Sequence, residues 1–157
     1  MFVYSVRGST VRFFAVIVLT LAVMIGAIII GNSGAVAASG DVKINFTGIK
    51  TNDERLEFIS QFGIEVTGEA KEEKTFIMPE NFDKIIAGYN ELQKTQGLDL
   101  TKYKNKKVTR YSYEIDGYED YDGPVLVNLI ICRGTVIGCD VSSQDPKGFI
   151  KPLVKYG

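Results

Sequence analysis

Pro124 to Ser143 reads PVLVNLIICRGTVIGCDVSS, two apolar runs joined by Arg133-Gly134. Two such runs separated by a two-residue turn are the signature of a β-hairpin. Nearly every position from Val125 to Cys132 is apolar, which places that strand at the centre of a sheet, covered on one face by helices. If Arg133 and Gly134 form the turn, residues whose numbers sum to 267 face each other, and Cys139 lies opposite Asn128. Four strand positions at ~3.3 Å each then separate it from Cys132, about twice the reach of a disulfide. Both cysteines are therefore expected as small apolar thiols on one face of the sheet. Met78 is the only other soft ligand beyond the N-terminal segment, so no metal site is expected from them.

Upstream, KKVTRYSYEI (Lys106 to Ile115) alternates as a strand. Thr109, Tyr111, Tyr113 and Ile115 share one face, with Val108, Arg110, Ser112 and Glu114 on the other, and one face is expected to be wet. Earlier still, Pro79 and Glu80 open a helix, and Phe82, Ile85, Ile86, Tyr89 and Leu92 form its apolar stripe. Gly97 ends it. Thr51-Asn52-Asp53-Glu54 reads as a capping box, followed by Leu56, Ile59 and Phe62 on one helix face and a left-handed ending at Gly63. Short strands are expected at Val42–Phe46, Ile64–Thr67 and Thr75–Met78. The tail from Asp145, with Pro146 and Pro152, is expected to be irregular. The order is strand, helix, two strands, helix and a three-strand meander, an α+β domain with a mostly antiparallel sheet and both helices on one face.

The first forty residues differ sharply from the rest. Phe13 to Ile30 contains no charge over eighteen residues, which as a helix would measure ~27 Å, close to the ~30 Å hydrocarbon core of a bilayer. Arg7 and Arg12 precede it and no acid does. That bias keeps residues 1–12 in the cytoplasm, spans the membrane with 13–30, and carries a flexible tether (31–41) and a domain (42–157) to the outside. Ala35-Val36-Ala37 offers the alternative of a cleaved signal and a secreted domain, although cleavable apolar regions run shorter, ~7–15 residues. All nineteen acids and all but two of the eighteen basic residues lie beyond this segment. Nucleic acid is not an expected partner.

There is no histidine, which excludes Ser-His and Cys-His nucleophiles and histidine-bound zinc. What chemistry remains is a carboxylate pair or a Ser-Lys dyad, with Ser142 and Ser143 at a strand end. No spacing singles out catalytic residues, and no cofactor is expected. DGYEDYDG (Asp116 to Gly123) fails as an EF-hand loop, because the frame that suits Asp120, Asp122 and Gly123 puts Tyr118 at position 1 and Leu129 at position 12. A looser cation site of Asp116, Asp120 and Asp122 stays open beside the plain reading of a solvated hairpin loop. Tyr118, Asp120, Tyr121 and Asp122 are the candidate edge for a partner. LTKYKNKKVTR (Leu100 to Arg110) offers cations to an anionic wall polymer or lipid headgroup, or is a solvated connection.

TNDERLEFISQFG, FDKIIAGYNELQKTQGLDLTKYKNKKVTRYSYEI and VLVNLIICRGTVIGCDV together resemble a domain-of-unknown-function family of small membrane-anchored proteins from Gram-positive anaerobes, over most of Gly48 to Ile150. The resemblance implies one N-terminal membrane segment and an outer domain, and it carries over no catalytic residue. This chain departs from the pattern at Cys139, where a second glycine would stand beside Gly138, and in its more acidic loop. Residues and resemblance together lead to a noncatalytic module that binds a protein or a cell-envelope component. A hydrolase, and a sensor or inhibitor of an envelope protease, are the alternatives.

Overall fold

The computed structural model describes residues 43–66, 68–118, 121–145 and 147–155. Two helices, α1 (Asn52–Ser60) and α2 (Lys84–Lys94), accompany five strands: β1 (Glu72–Ile77), β2 (Lys107–Glu114), β3 (Val125–Cys132), β4 (Thr135–Ser143) and β5 (Ile150–Pro152). The strands lie in sequence order and every neighbouring pair is antiparallel. The domain is thus α+β. The expected membrane helix, the cytoplasmic N-terminus and the whole of the tether lie outside the described residues. Among the described residues no helix is long and apolar enough to cross a membrane.

The capping box forms as the sequence suggests. Thr51 Oγ1 accepts from Glu54 N–H, and Glu54 Oε2 accepts from the N–H groups of Thr51 and Lys50 at 2.7 Å each. Gly63 then turns the chain with φ +74, a conformation that costs a residue with a Cβ. The second helix begins later than expected, at Lys84 rather than at Pro79-Glu80. Asp83 is the better cap, accepting from the N–H groups of Ile85 and Ile86. Backbone bonds from Met78 to Lys106 and from Asn105 to Met78 hold the preceding chain against the entry to β2.

Three expected strands change. Residues 43–46 form no strand and only Thr47 bridges to Thr135, while Ile64–Thr67 reduces to a bridge between Val66 and Ile115. Val42 and Thr67 lie outside the described residues. Thr75–Met78 becomes the longer β1, because pairing with β2 already starts at Glu72 opposite Ser112. The tail is not wholly irregular: β5 pairs with β4, Ser142 opposite Ile150.

The helices lie on opposite faces of the sheet, not on one. Phe58, Ile59 and Phe62 pack with Tyr113, Val127, Leu129 and Val141, whereas Tyr89 of α2 packs with Val108, Ile130, Cys132 and Ile137. Alternate side chains of a strand point to opposite faces, so the unbroken apolar run of β3 supplies two cores at once. For the same reason neither face of β2 is fully wet: Val108, Ser112 and Tyr113 are all buried.

A β-bulge alters the hairpin register. Cys132 pairs with Thr135 and Ile131 with Val136, but Ile130 pairs with Gly138, leaving Ile137 as an extra residue. Cys139 therefore faces Leu129 rather than Asn128. The two free cysteines fall in different cores, on opposite faces instead of one.

Where β5 ends, side chains of α2 and its C-terminal turn replace the missing pairing. Gln93 Oε1 accepts from Cys139 N–H at 2.8 Å, and Gln96 Nε2 donates to Cys139 O at 2.9 Å while its Oε1 accepts from Leu153 N–H. Deeper on that face, Ser112 donates to Asn128, Asn128 to Asp140 Oδ1, and Tyr89 Oη to Asp140 Oδ2 at 2.6 Å. Burial pushes the Asp140 carboxyl above its ordinary range, against the downward pull of those hydrogen bonds and of Arg110.

Candidate anion-binding site

At the end of the sheet where β2 begins and the β3–β4 hairpin turns, three segments enclose a cleft of about 830 Å³. The approach to α1 contributes Ile49 and Lys50, and α1 itself contributes Arg55. Entry to β2 contributes Asn105, Lys106, Lys107, Thr109 and Tyr111, and the hairpin adds Ile131, Arg133 and Gly134. Five of these side chains are basic and none is acidic.

Arg55 is the fixed member of the group. It is only 9 % exposed, and a buried guanidinium must have its donors met or face a ligand. Its Nε donates to Tyr113 Oη at 2.6 Å, its Nη1 donates to Lys50 O at 3.1 Å, and its plane lies 3.8 Å from the Tyr111 ring centroid. Tyr113 passes the chain on by donating to Asn52 Oδ1 at 2.9 Å. Burial raises the Tyr113 phenol, against the pull of Arg55, so it stays a neutral donor. Nη2 of Arg55 has no hydrogen-bond partner among the described residues. A guanidinium held on one side and open on the other matches the fork geometry of phosphate or carboxylate recognition.

The hairpin turn places the second arginine. Arg133 has φ +51 and Gly134 φ +78, the two positive values that a type I′ turn demands. Asparagine or glycine is favoured at the first position, so an arginine there carries a conformational cost and leaves its charge exposed at the rim. Gly134 is needed for space as well as for φ. A Cβ there would meet Lys50 Cγ at 3.1 Å and Cε at 3.3 Å, so the glycine lets the lysine stem lie across the turn. Asn105, also at positive φ (60), turns the chain so that Lys106 and Lys107 follow at the mouth.

The electrostatic balance of the cleft is one-sided. The chain carries a formal net charge of −1, yet none of these five cations has a carboxylate within 4.0 Å among the described residues. Two like charges ~8 Å apart repel by roughly 0.5 kcal/mol even in a water-like medium. An anion in the cleft would relieve that repulsion.

Of the residues singled out in the sequence, the run from Leu100 to Arg110 is divided. Lys106, Lys107 and Thr109 reach the cleft, while Arg110 crosses to the other face and pairs with Glu72 at 2.6 Å. The tyrosine loop sits elsewhere. Tyr118 stacks on Phe149 with centroids 5.6 Å apart, Tyr121 meets the same ring edge-on at 5.5 Å, and Tyr121 Oη donates to Asp145. Asp122 is exposed. Asp120 lies outside the described residues, and with it the three-carboxylate cation site. Ser142 Oγ accepts from Asn128, and Ser143 Oγ accepts from Phe149 N–H.

Sequence reasoning missed Lys50, Arg55 and Arg133 as site residues. Arg55 did leave a signal. With Phe58, Ile59 and Phe62 it makes offsets of 0, 3, 4 and 7, so a charge occupies the first position of an apolar helix stripe.

Residues 58–141 match the family model described as Domain of unknown function (DUF4830). No curated protein and no solved structure matches the chain. The matched span contains the β2 entry and the hairpin turn but stops short of Lys50 and Arg55. Running from α1 through β4, it covers more than half of the sequence, and the chain belongs to the DUF4830 family.

Proposed function

We propose that this domain is a noncatalytic binding module that takes an anionic component of the cell envelope into the basic cleft, held at the outer membrane face by its N-terminal apolar segment. One observation carries the reading: five cations line one cleft, none of them within 4.0 Å of a carboxylate among the described residues, in a chain whose net charge is slightly negative. A fold with acids to spare has no structural need to gather cations without neutralising them. Arg55 is the anchor, because it is already desolvated and oriented, so little ordering entropy is lost on binding. Lys50, Lys106, Lys107 and Arg133 supply longer-range attraction. The outer placement follows from Arg7 and Arg12 ahead of the apolar run, and it turns the cleft toward envelope anions rather than nucleic acid. We assign the Tyr118–Tyr121 loop to packing on Phe149.

The test is calorimetric titration of the full chain, in phosphatidylcholine nanodiscs, with inorganic polyphosphate. Binding is expected at low salt, falling as salt rises because counterions are released. Arg55→Met should abolish it in a protein whose circular dichroism is unchanged. Absence of binding to the unaltered chain at low salt would overturn the reading, as would an Arg55→Met variant that is folded and binds fully.

A further inference from the structure

We infer that the cleft's partner is the anionic phospholipid surface itself, a headgroup phosphate entering between Arg55 and Lys107 while Ile77 dips into the acyl boundary; this rests on the cleft reading above. Three observations lead there. The chain reaches this site soon after the described residues begin: Asn45 lies against Gln61 beyond the far end of α1, and Ile49 and Lys50 line the cleft a few residues later. The stretch from Gly31 to Val42 can span no more than about 40 Å at ~3.3–3.6 Å per residue, which keeps the domain within reach of the bilayer.

The second observation is apolar. Ile77 is 58 % exposed, one of two large hydrophobic side chains left bare among the described residues. It pairs with Lys107 across β1 and β2, and directly opposite residues share a sheet face. A bare isoleucine therefore stands beside Lys107, one of the cations of the cleft. A soluble polyanion gives that side chain nothing to bury against, whereas a membrane interface takes apolar groups just below the phosphates that attract the lysines. The third is the extent of the charge. Lys102 and Lys104, exposed in the residues just before β2, add positive charge next in sequence to Lys106 and Lys107, more than a single small anion needs and suited to a plane of headgroups.

The experiment uses the full chain in nanodiscs of phosphatidylcholine alone or of an equal mixture with phosphatidylglycerol. A bimane on Ile77→Cys is labelled selectively because Cys132 and Cys139 are buried, and quenching by a headgroup nitroxide lipid reports contact. Quenching is expected in the mixed discs at low salt, with loss at high salt and none in the neutral discs. Each neutralised cation should lower the docked-to-undocked ratio about fivefold, the equivalent of about 1 kcal/mol. Lys107→Gln with Arg133→Gln should thus lower it about twenty-five-fold while near-ultraviolet circular dichroism stays unchanged. A bimane that remains in water in the mixed discs overturns the inference. If polyphosphate still binds under those conditions the cleft reading survives and the lipid assignment alone falls; if neither binds, both fall.

Discussion

Replacing Tyr89 by phenylalanine deletes one oxygen and tests the polar layer inside the core. Tyr89 Oη lies 2.6 Å from Asp140 Oδ2, and Asp140 is 2 % exposed, so water cannot readily replace the lost donor. A hydrogen bond to an ionised group contributes about 1.5–3 kcal/mol, and one between neutral groups about 1. The variant should therefore lose about 2 kcal/mol where Asp140 is ionised and about 1 kcal/mol where it is protonated. The direction with pH follows from linkage. Asp140 is raised by burial above its ordinary value of 3.8, so its stabilising contribution is complete below that value and lost as pH rises through the folded-state value. Removing Tyr89 Oη removes a downward pull, moves the folded value higher still, and enlarges the loss at high pH. Thermal unfolding of the full chain in neutral detergent, followed by the near-ultraviolet dichroism of its tyrosines, should show Tm lowered by up to about 10 °C at pH 8 and by less at pH 4. A Tm within about 2 °C of the parent at pH 8, or a larger loss at pH 4 than at pH 8, would refute the argument.

The capping box predicts that Thr51→Ala costs about 1 kcal/mol, read as a lowered urea midpoint. Because backbone N–H groups of Thr51 and Lys50 hold Glu54 below its ordinary 4.5, its contribution is present above that value and lost as pH falls through the folded-state value; Glu54→Gln should flatten this acid limb of the stability curve. Arg133→Asn suits the type I′ turn and should raise stability by about 0.5–1 kcal/mol, while weakening polyphosphate binding about fivefold; lower stability together with full affinity would contradict both claims. Tyr113→Phe removes the acceptor that orients Arg55 Nε and should cost about 1.5–3 kcal/mol of stability. Under conditions where the variant stays folded, titration should also show weaker binding, although Tyr113 touches no ligand; undiminished affinity would mean that Arg55 needs no such positioning.

Short-range features were readable because their causes are local. The Thr51–Glu54 box, the left-handed Gly63 and the Arg133-Gly134 turn each depend on residues within a few positions of one another, and each appears where the pattern places it. The α2 start slipped because two acceptable openings, Pro79-Glu80 and Asp83, compete within five positions, and the backbone tie of Met78 to the β2 entry decides between them. The bulge at Ile137 was invisible because that residue sits in the short apolar run Val136 to Cys139, whose composition an extra residue does not disturb, though it moves Cys139 to the other face.

Sequence alone determined the hairpin, the capped first helix, the α+β class and the absence of any histidine-based chemistry, since these follow from residue type and near spacing. Which faces the helices cover, and that Lys50, Arg55, Lys107 and Arg133 surround one cleft, only the tertiary structure decided. The reason is geometric: those cations lie on three segments far apart in the chain, and their mutual repulsion has no expression until folding brings them around one cleft.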